Sequence, residues 1–160
     1  VNVAAAVRVI ILGDAVRKRL FEMLRQQLHI NLRDHTVEIQ NDQWHNYLSL
    51  SISYPENFPY KFSLEFQNTQ FNGLIFGLHR NEENNPQNDD EIFSIIDKQI
   101  GPGKRSEWWL WYRKASLADT LLPVSPNWQP DPQPWIDIAT GSLAERIQVV
   151  FKLIGQVLDG

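Results

Sequence analysis

Residues 47–78 alternate between apolar and polar side chains through three successive runs, and this pattern limits the fold more tightly than any other in the chain. Leu48, Leu50, Ile52 and Tyr54 alternate with Ser49, Ser51 and Ser53. Phe62, Leu64 and Phe66 alternate with Lys61, Ser63, Glu65 and Gln67, and Leu74, Phe76 and Leu78 repeat the spacing. A period of two sends successive side chains to opposite faces of a strand. The stretch therefore reads as three antiparallel strands with one apolar face and one serine-rich face that the pattern assigns to water. Pro55 and Pro59 lack the amide hydrogen a ladder needs, so a true loop separates the first two strands. Residues 35–40 alternate as well and add a strand, followed by a turn signal at Asn41 and Asp42 before Trp44.

The flanks supply helices to cover the apolar face. Val16, Leu20, Leu24 and Leu28 recur every four residues with Phe21 beside them, and Asp14 is placed to cap this helix. Its other side carries the chain's one concentration of positive charge. There Arg17, Lys18 and Arg25 are candidates for contacting nucleic-acid phosphates; the commoner meaning of such a side is a solvated helix face. Residues 80–90 are almost free of apolar groups and read as an exposed loop. A short helix with Ile92, Ile95 and Ile96 on one side follows, capped by Asp89 or Asp90 and ended by Gly101, Pro102 and Gly103. Residues 135–138 read as a short final strand. Ser142 and Glu145 form a capping box, and Leu143, Ile147, Val150, Phe151, Ile154 and Leu158 form a stripe at helical spacing. The expected class is α+β: a mainly antiparallel sheet of about five or six strands, with N- and C-terminal helices packed on one face. A length of 160 residues suits a single domain, expected over residues 14–160.

The N-terminal run from Val3 to Leu12, broken by Arg8, is too short to span a bilayer and lacks the flanks of a signal peptide. With Val1 at its start, residues 1–13 read as the remnant of, or link to, an upstream element. No membrane association is expected, and a cytoplasmic location is. The chain contains no cysteine, which excludes disulfides, zinc–cysteine sites and thiol nucleophiles. A formal charge of -4 argues against a surface coated in positive potential. His29, His35, His45 and His79 show no metal-ligand spacing. Glu82, Glu83, Asp89, Asp90 and Glu91 do not follow an EF-hand pattern. No phosphate loop or nucleophile elbow occurs. No catalytic residue and no metal site is therefore assigned.

Two segments remain. Trp108, Trp109, Leu110, Trp111 and Tyr112 do not alternate, as in a strand buried on both faces. Alternatively Trp108, Trp109, Trp111 and Tyr112, with Trp128, form a platform for a ligand or partner, since aromatic rings on a sheet stack unpaired bases or sugars. Pro123, Pro126, Pro130, Pro132 and Pro134 mark an extended surface loop, pinned by Trp128 and Trp135.

The order of residues 73–78, 108–112, Asn127 with Trp128, and 136–141 before a closing helix resembles the C-terminal region of uncharacterised bacterial proteins of the PD-(D/E)XK nuclease superfamily. That superfamily holds a divalent metal with an Asp and a following Asp/Glu-x-Lys. Here Glu38-Ile-Gln40 and Glu65-Phe-Gln67 carry glutamine in place of the lysine. The resemblance thus implies a non-catalytic C-terminal module of a nuclease-like bacterial defence protein, serving DNA engagement, contact with an upstream domain or other partner, or self-association. It implies no cofactor in this chain and Mg²⁺ in an upstream nuclease domain. The alternative is a free-standing module whose tryptophan-rich strand recognises single-stranded nucleic acid or a protein ligand.

Overall fold

The alternating stretch folds as its period dictates. In the computed structural model, which describes residues 13–41, 46–55, 58–81 and 88–159, it forms β2 (Ser49–Ser53), β3 (Tyr60–Asn68) and β4 (Asn72–Arg80). β1 (Val37–Gln40) precedes them and β5 (Trp109–Lys114) follows. The apolar run of residues 3–12, the turn at Asp42 with Trp44, and residues 82–87 of the acidic loop lie outside the described residues. The strands form one antiparallel sheet in the order β1-β2-β3-β4-β5, each paired with its neighbour in sequence.

Four helices complete the described fold: α1 (Asp14–Asn31), α2 (Asp89–Gln99), α3 (Gln133–Thr140) and α4 (Ser142–Asp159). α1 contributes Phe21, Leu24 and Leu28 to the core, and α4 contributes Ile147, Val150, Phe151 and Ile154. They meet Leu50, Ile52, Phe62, Leu64, Phe66, Leu74, Phe76 and Leu78 from the sheet, all at most 1% exposed. Removing each such side chain from water contributes about 1.5–3 kcal/mol, so this one apolar face carries most of the stabilisation. Among the described helices none is long and apolar enough to cross a membrane.

Residues 135–138, read from sequence as a strand, are helical. Pro132 and Pro134 suit the first turn of a helix, where the proline's missing amide would go unused. Trp135 and Ile138, three apart, then fall on one buried side, and Gly141 ends the helix in the left-handed conformation. Four residues were too few to separate a period of two from one of 3.6. The capping box is also absent: Ser142 is already helical, its hydroxyl accepts from Thr140, and the Glu145 amide donates to Gly141 O. Asp14 likewise starts α1 instead of capping it, and pairs with Arg17.

The proline-rich segment is less superficial than its composition suggests. Leu122, Val124, Ser125 and Trp128 are buried. Trp128 packs edge-on to Phe21, Phe66 and Trp135, and its indole N–H donates to Ser125 O at 2.8 Å. The Trp135 N–H donates in turn to Trp128 O at 2.9 Å. Both rings thereby enter the core with their polar atom satisfied.

Candidate functional site

With the helices on the apolar face, the second sheet face is lined among the described residues by strand and loop residues alone. The ladder register arranges its side chains in rows across the strands. One row runs Gln40–Ser49–Glu65–Ile75–Lys114, and the next runs Glu38–Ser51–Ser63–Gly77–Tyr112. A third runs Ser53–Lys61–His79–Trp109. Lys104 extends the middle row, because its backbone exchanges hydrogen bonds with Tyr112 beyond β5.

The expectation that the serines face water is wrong. Ser49 and Ser51 are 4% exposed and Ser63 is 1% exposed. Short side chains flanked by the longer Lys61, Glu65 and Tyr112 sit low on the face, and the Ser51 and Ser63 hydroxyls bond each other at 2.8 Å. Gly77 continues this low row. A Cβ there would stand 2.1 Å from Trp111 O, so the approach of β5 admits no side chain. The result is a trough of about 640 Å³ with polar walls.

At the β5 end the walls are aromatic. Leu110 has no partner across the ladder, because Trp109 faces His79 and Trp111 faces Leu78. This bulge turns Trp109 and Tyr112 to the trough while Leu110 and Trp111 enter the core. It also explains why residues 108–112 do not alternate. Trp109 stacks edge-on against His79, with centroids 5.0 Å apart, and leans on Tyr112 at 5.9 Å. Trp108 is 57% exposed at this rim, and Tyr47, with φ +71, is 51% exposed at the opposite end. Asn41, also at positive φ (59°), holds Tyr47 O through its side-chain amide at 3.0 Å. Asn41 tolerates the left-handed region, whereas Tyr47 adopts it at a steric cost.

The trough's charged side chains are Lys61, Lys114 and Glu65, with the His79 ring across the ladder from Lys61. Among the described residues every ion pair uses an arginine, and Lys61, Lys104 and Lys114 take part in none. Glu65 has no ion-pair partner there either; its Oε1 accepts from the Gln67 side-chain amide at 2.8 Å. Burial raises its pKa above the ordinary carboxylate value, against the opposing effects of the Gln67 bond and the Lys61 charge. No group of three or more histidines and carboxylates able to hold a metal occurs among the described residues.

The residues singled out from sequence are divided between three places. Trp108, Trp109 and Tyr112 line the trough, whereas Trp111 and Trp128 are fully buried in the core. Lys18 and Arg25 border a depression beside Phe21, Ile39, Leu48 and Phe71, on the helix-bearing side of the sheet. Arg17 is 6% exposed and paired with Asp14 at 3.1 Å, and Arg25 is paired with Glu22 at 2.6 Å. The structure brings Trp128 against α1 through Phe21 in the core, but it does not bring the basic residues Lys18 and Arg25 to the trough of Trp108, Trp109 and Tyr112. Tyr47, Lys61, Glu65, Gln67, His79, Lys104 and Lys114 were not singled out as a site. The signal for Lys61, Glu65 and Gln67 was present in the alternation, whose polar set was assigned to solvent as a whole.

Among the described residues the chain is thus an α+β domain with helices on one sheet face and an aromatic and polar trough on the other. Comparison with protein-family models, curated proteins and solved structures finds no significant match.

Proposed function

We propose that this chain is a binding module whose trough-bearing sheet face receives single-stranded nucleic acid. The observation that carries the reading is the coincidence, on the trough face, of exposed aromatic rims with lysines that take part in no ion pair among the described residues. Bases present a flat ring whatever their sequence, and an aromatic side chain stacks on it. Trp108, Tyr112 and Tyr47 offer such rings, Trp109 forms the wall behind them, and Lys61, Lys104 and Lys114 meet phosphates. From the rung of Tyr47 to that of Trp108 the face measures about 25 Å, taking strands about 4.8 Å apart and about 3.3 Å per residue. That is room for a strand of about four nucleotides, the lower end of the range for aromatic sheet platforms. A free-standing module and a non-catalytic accessory module of a nuclease-like protein would use the face in the same way, and the segment pattern supports the second.

Titration of the protein with short oligonucleotides is expected to quench tryptophan fluorescence. Trp108→Ala and Tyr112→Ala are each expected to weaken binding by about 1–3 kcal/mol. Binding should fall with salt, and Lys61→Ala with Lys114→Ala should flatten the log–log slope by about 1.4. A slope that responds instead to Lys18→Ala with Arg25→Ala would move the phosphate contact to α1. No fluorescence or anisotropy response to any oligonucleotide would sink the reading and leave a protein ligand for this face.

A further inference from the structure

Glu65 has a position that packing does not explain. It is a half-buried carboxyl on the trough floor, in no ion pair among the described residues and held only by the Gln67 amide. Burial of such a group opposes its ionisation, which is unfavourable unless something else uses its acceptor oxygens. Its row suggests what that is. Directly across β4 from Glu65 stands Ile75, and directly across β5 from Ile75 stands Lys114. An acceptor, an apolar seat and a cation therefore lie in line over two strand spacings, about 10 Å. Beside the seat, Gly77 leaves the neighbouring rung without a side chain and Tyr112 provides a ring. A nucleotide has the same sequence of chemistry: a donor on the base edge, an apolar ring face, and a phosphate.

We infer that Glu65 reads the base seated on Ile75, accepting from an exocyclic amino group, so that the face prefers an amino-bearing base such as cytosine to thymine. The inference rests on the single-strand reading above. A carboxyl oxygen accepts well from the cytosine amino group, and it meets an acceptor where thymine carries a carbonyl. Cytosine and thymine have rings of one size, so stacking on Tyr112 and Trp108 is nearly equal and the difference isolates the edge contact.

The test is a fluorescence titration of the whole chain at neutral pH with oligo(dC) and oligo(dT) of equal length. The wild type is expected to bind oligo(dC) about tenfold more tightly, within the range for one well-made base contact. Glu65→Gln presents an amide that suits either base, and is expected to bring the ratio near unity with oligo(dT) binding kept or improved. Val149→Ala, exposed on α4 away from the trough, is expected to retain the preference, and Gln67→Ala asks whether the neighbouring amide is the reader instead. A wild-type ratio near unity, or one that Glu65→Gln leaves unchanged, overturns the inference while the single-strand reading stands. Loss of the preference in Gln67→Ala but not in Glu65→Gln overturns it in favour of Gln67. Failure of both oligonucleotides to bind overturns the reading and the inference together.

Discussion

Cations and aromatics are sorted by type in this domain. The arginines Arg80, Arg113 and Arg146 act as staples. Arg80 takes both Asp89 and the carbonyls of Ser106 and Glu107, while Arg146 bridges Asp137 to Pro123 O. A planar fork of donors suits such multiple fixing, whereas a lysine ammonium remains a hydrated point charge. Tryptophans divide in the same manner, with Trp111, Trp128 and Trp135 as core rings and Trp108 as a rim ring. The clearest titration prediction concerns Glu65. Burial holds its folded pKa above the ordinary carboxylate value, so between the unfolded and folded values the folded state holds more proton than the unfolded state. Stability from this group is therefore lost as pH rises through that window. Glu65→Gln is expected to raise the Tm at pH 7 and to leave it nearly unchanged below the window. An equal shift at both pH values would refute the assignment.

At the level of the element, β5 decides how much of the trough exists. Its bulge puts Trp109 and Tyr112 on the same face three residues apart, a spacing no regular strand allows. Close docking of β5 on β4 depends on Gly77, where a Cβ would also approach Tyr112 Cα to 2.7 Å. Gly77→Ala is expected to cost about 1–3 kcal/mol through overpacking and to displace Tyr112. Gly141→Ala meets nothing within 4 Å and bears only left-handed strain, about 1–2 kcal/mol. Urea unfolding gives both costs. Tyrosine and tryptophan near-UV circular dichroism should change in the first variant only, and an unchanged spectrum in Gly77→Ala would contradict the docking argument.

For the whole molecule, the division of labour between sheet faces is the governing feature. One face holds the core and its helices, so stability and binding should respond to different substitutions. Phe151, 2% exposed, stacks on Tyr54 at 4.4 Å and lies edge-on to His35. Phe151→Ala is expected to cost about 3–5 kcal/mol, seen as an earlier urea midpoint. Val149, on the same helix and 66% exposed, should change stability by less than about 0.5 kcal/mol when replaced by alanine. Similar losses from the two would mean that α4 packs by another side.

Periodicity alone was enough for β1 to β4, α1, α2 and α4, because each presents one apolar side whose spacing records its secondary structure. It was enough also for the α+β class and for helices on a single face. Four points needed the tertiary structure. The helix at Gln133–Thr140 was too short for its period to show, and prolines that suit a first turn read equally well as loop. The bulge at Leu110 scrambled the alternation of β5, since an inserted residue is visible only against a partner strand. The burial of Ser51 and Ser63 depends on the height of side chains on adjacent strands, which no single strand encodes. The trough itself joins residues from position 40 to position 114, brought into rows by ladder register. Alternation tells which face a side chain takes; only pairing tells what stands beside it, and a binding face is made of neighbours.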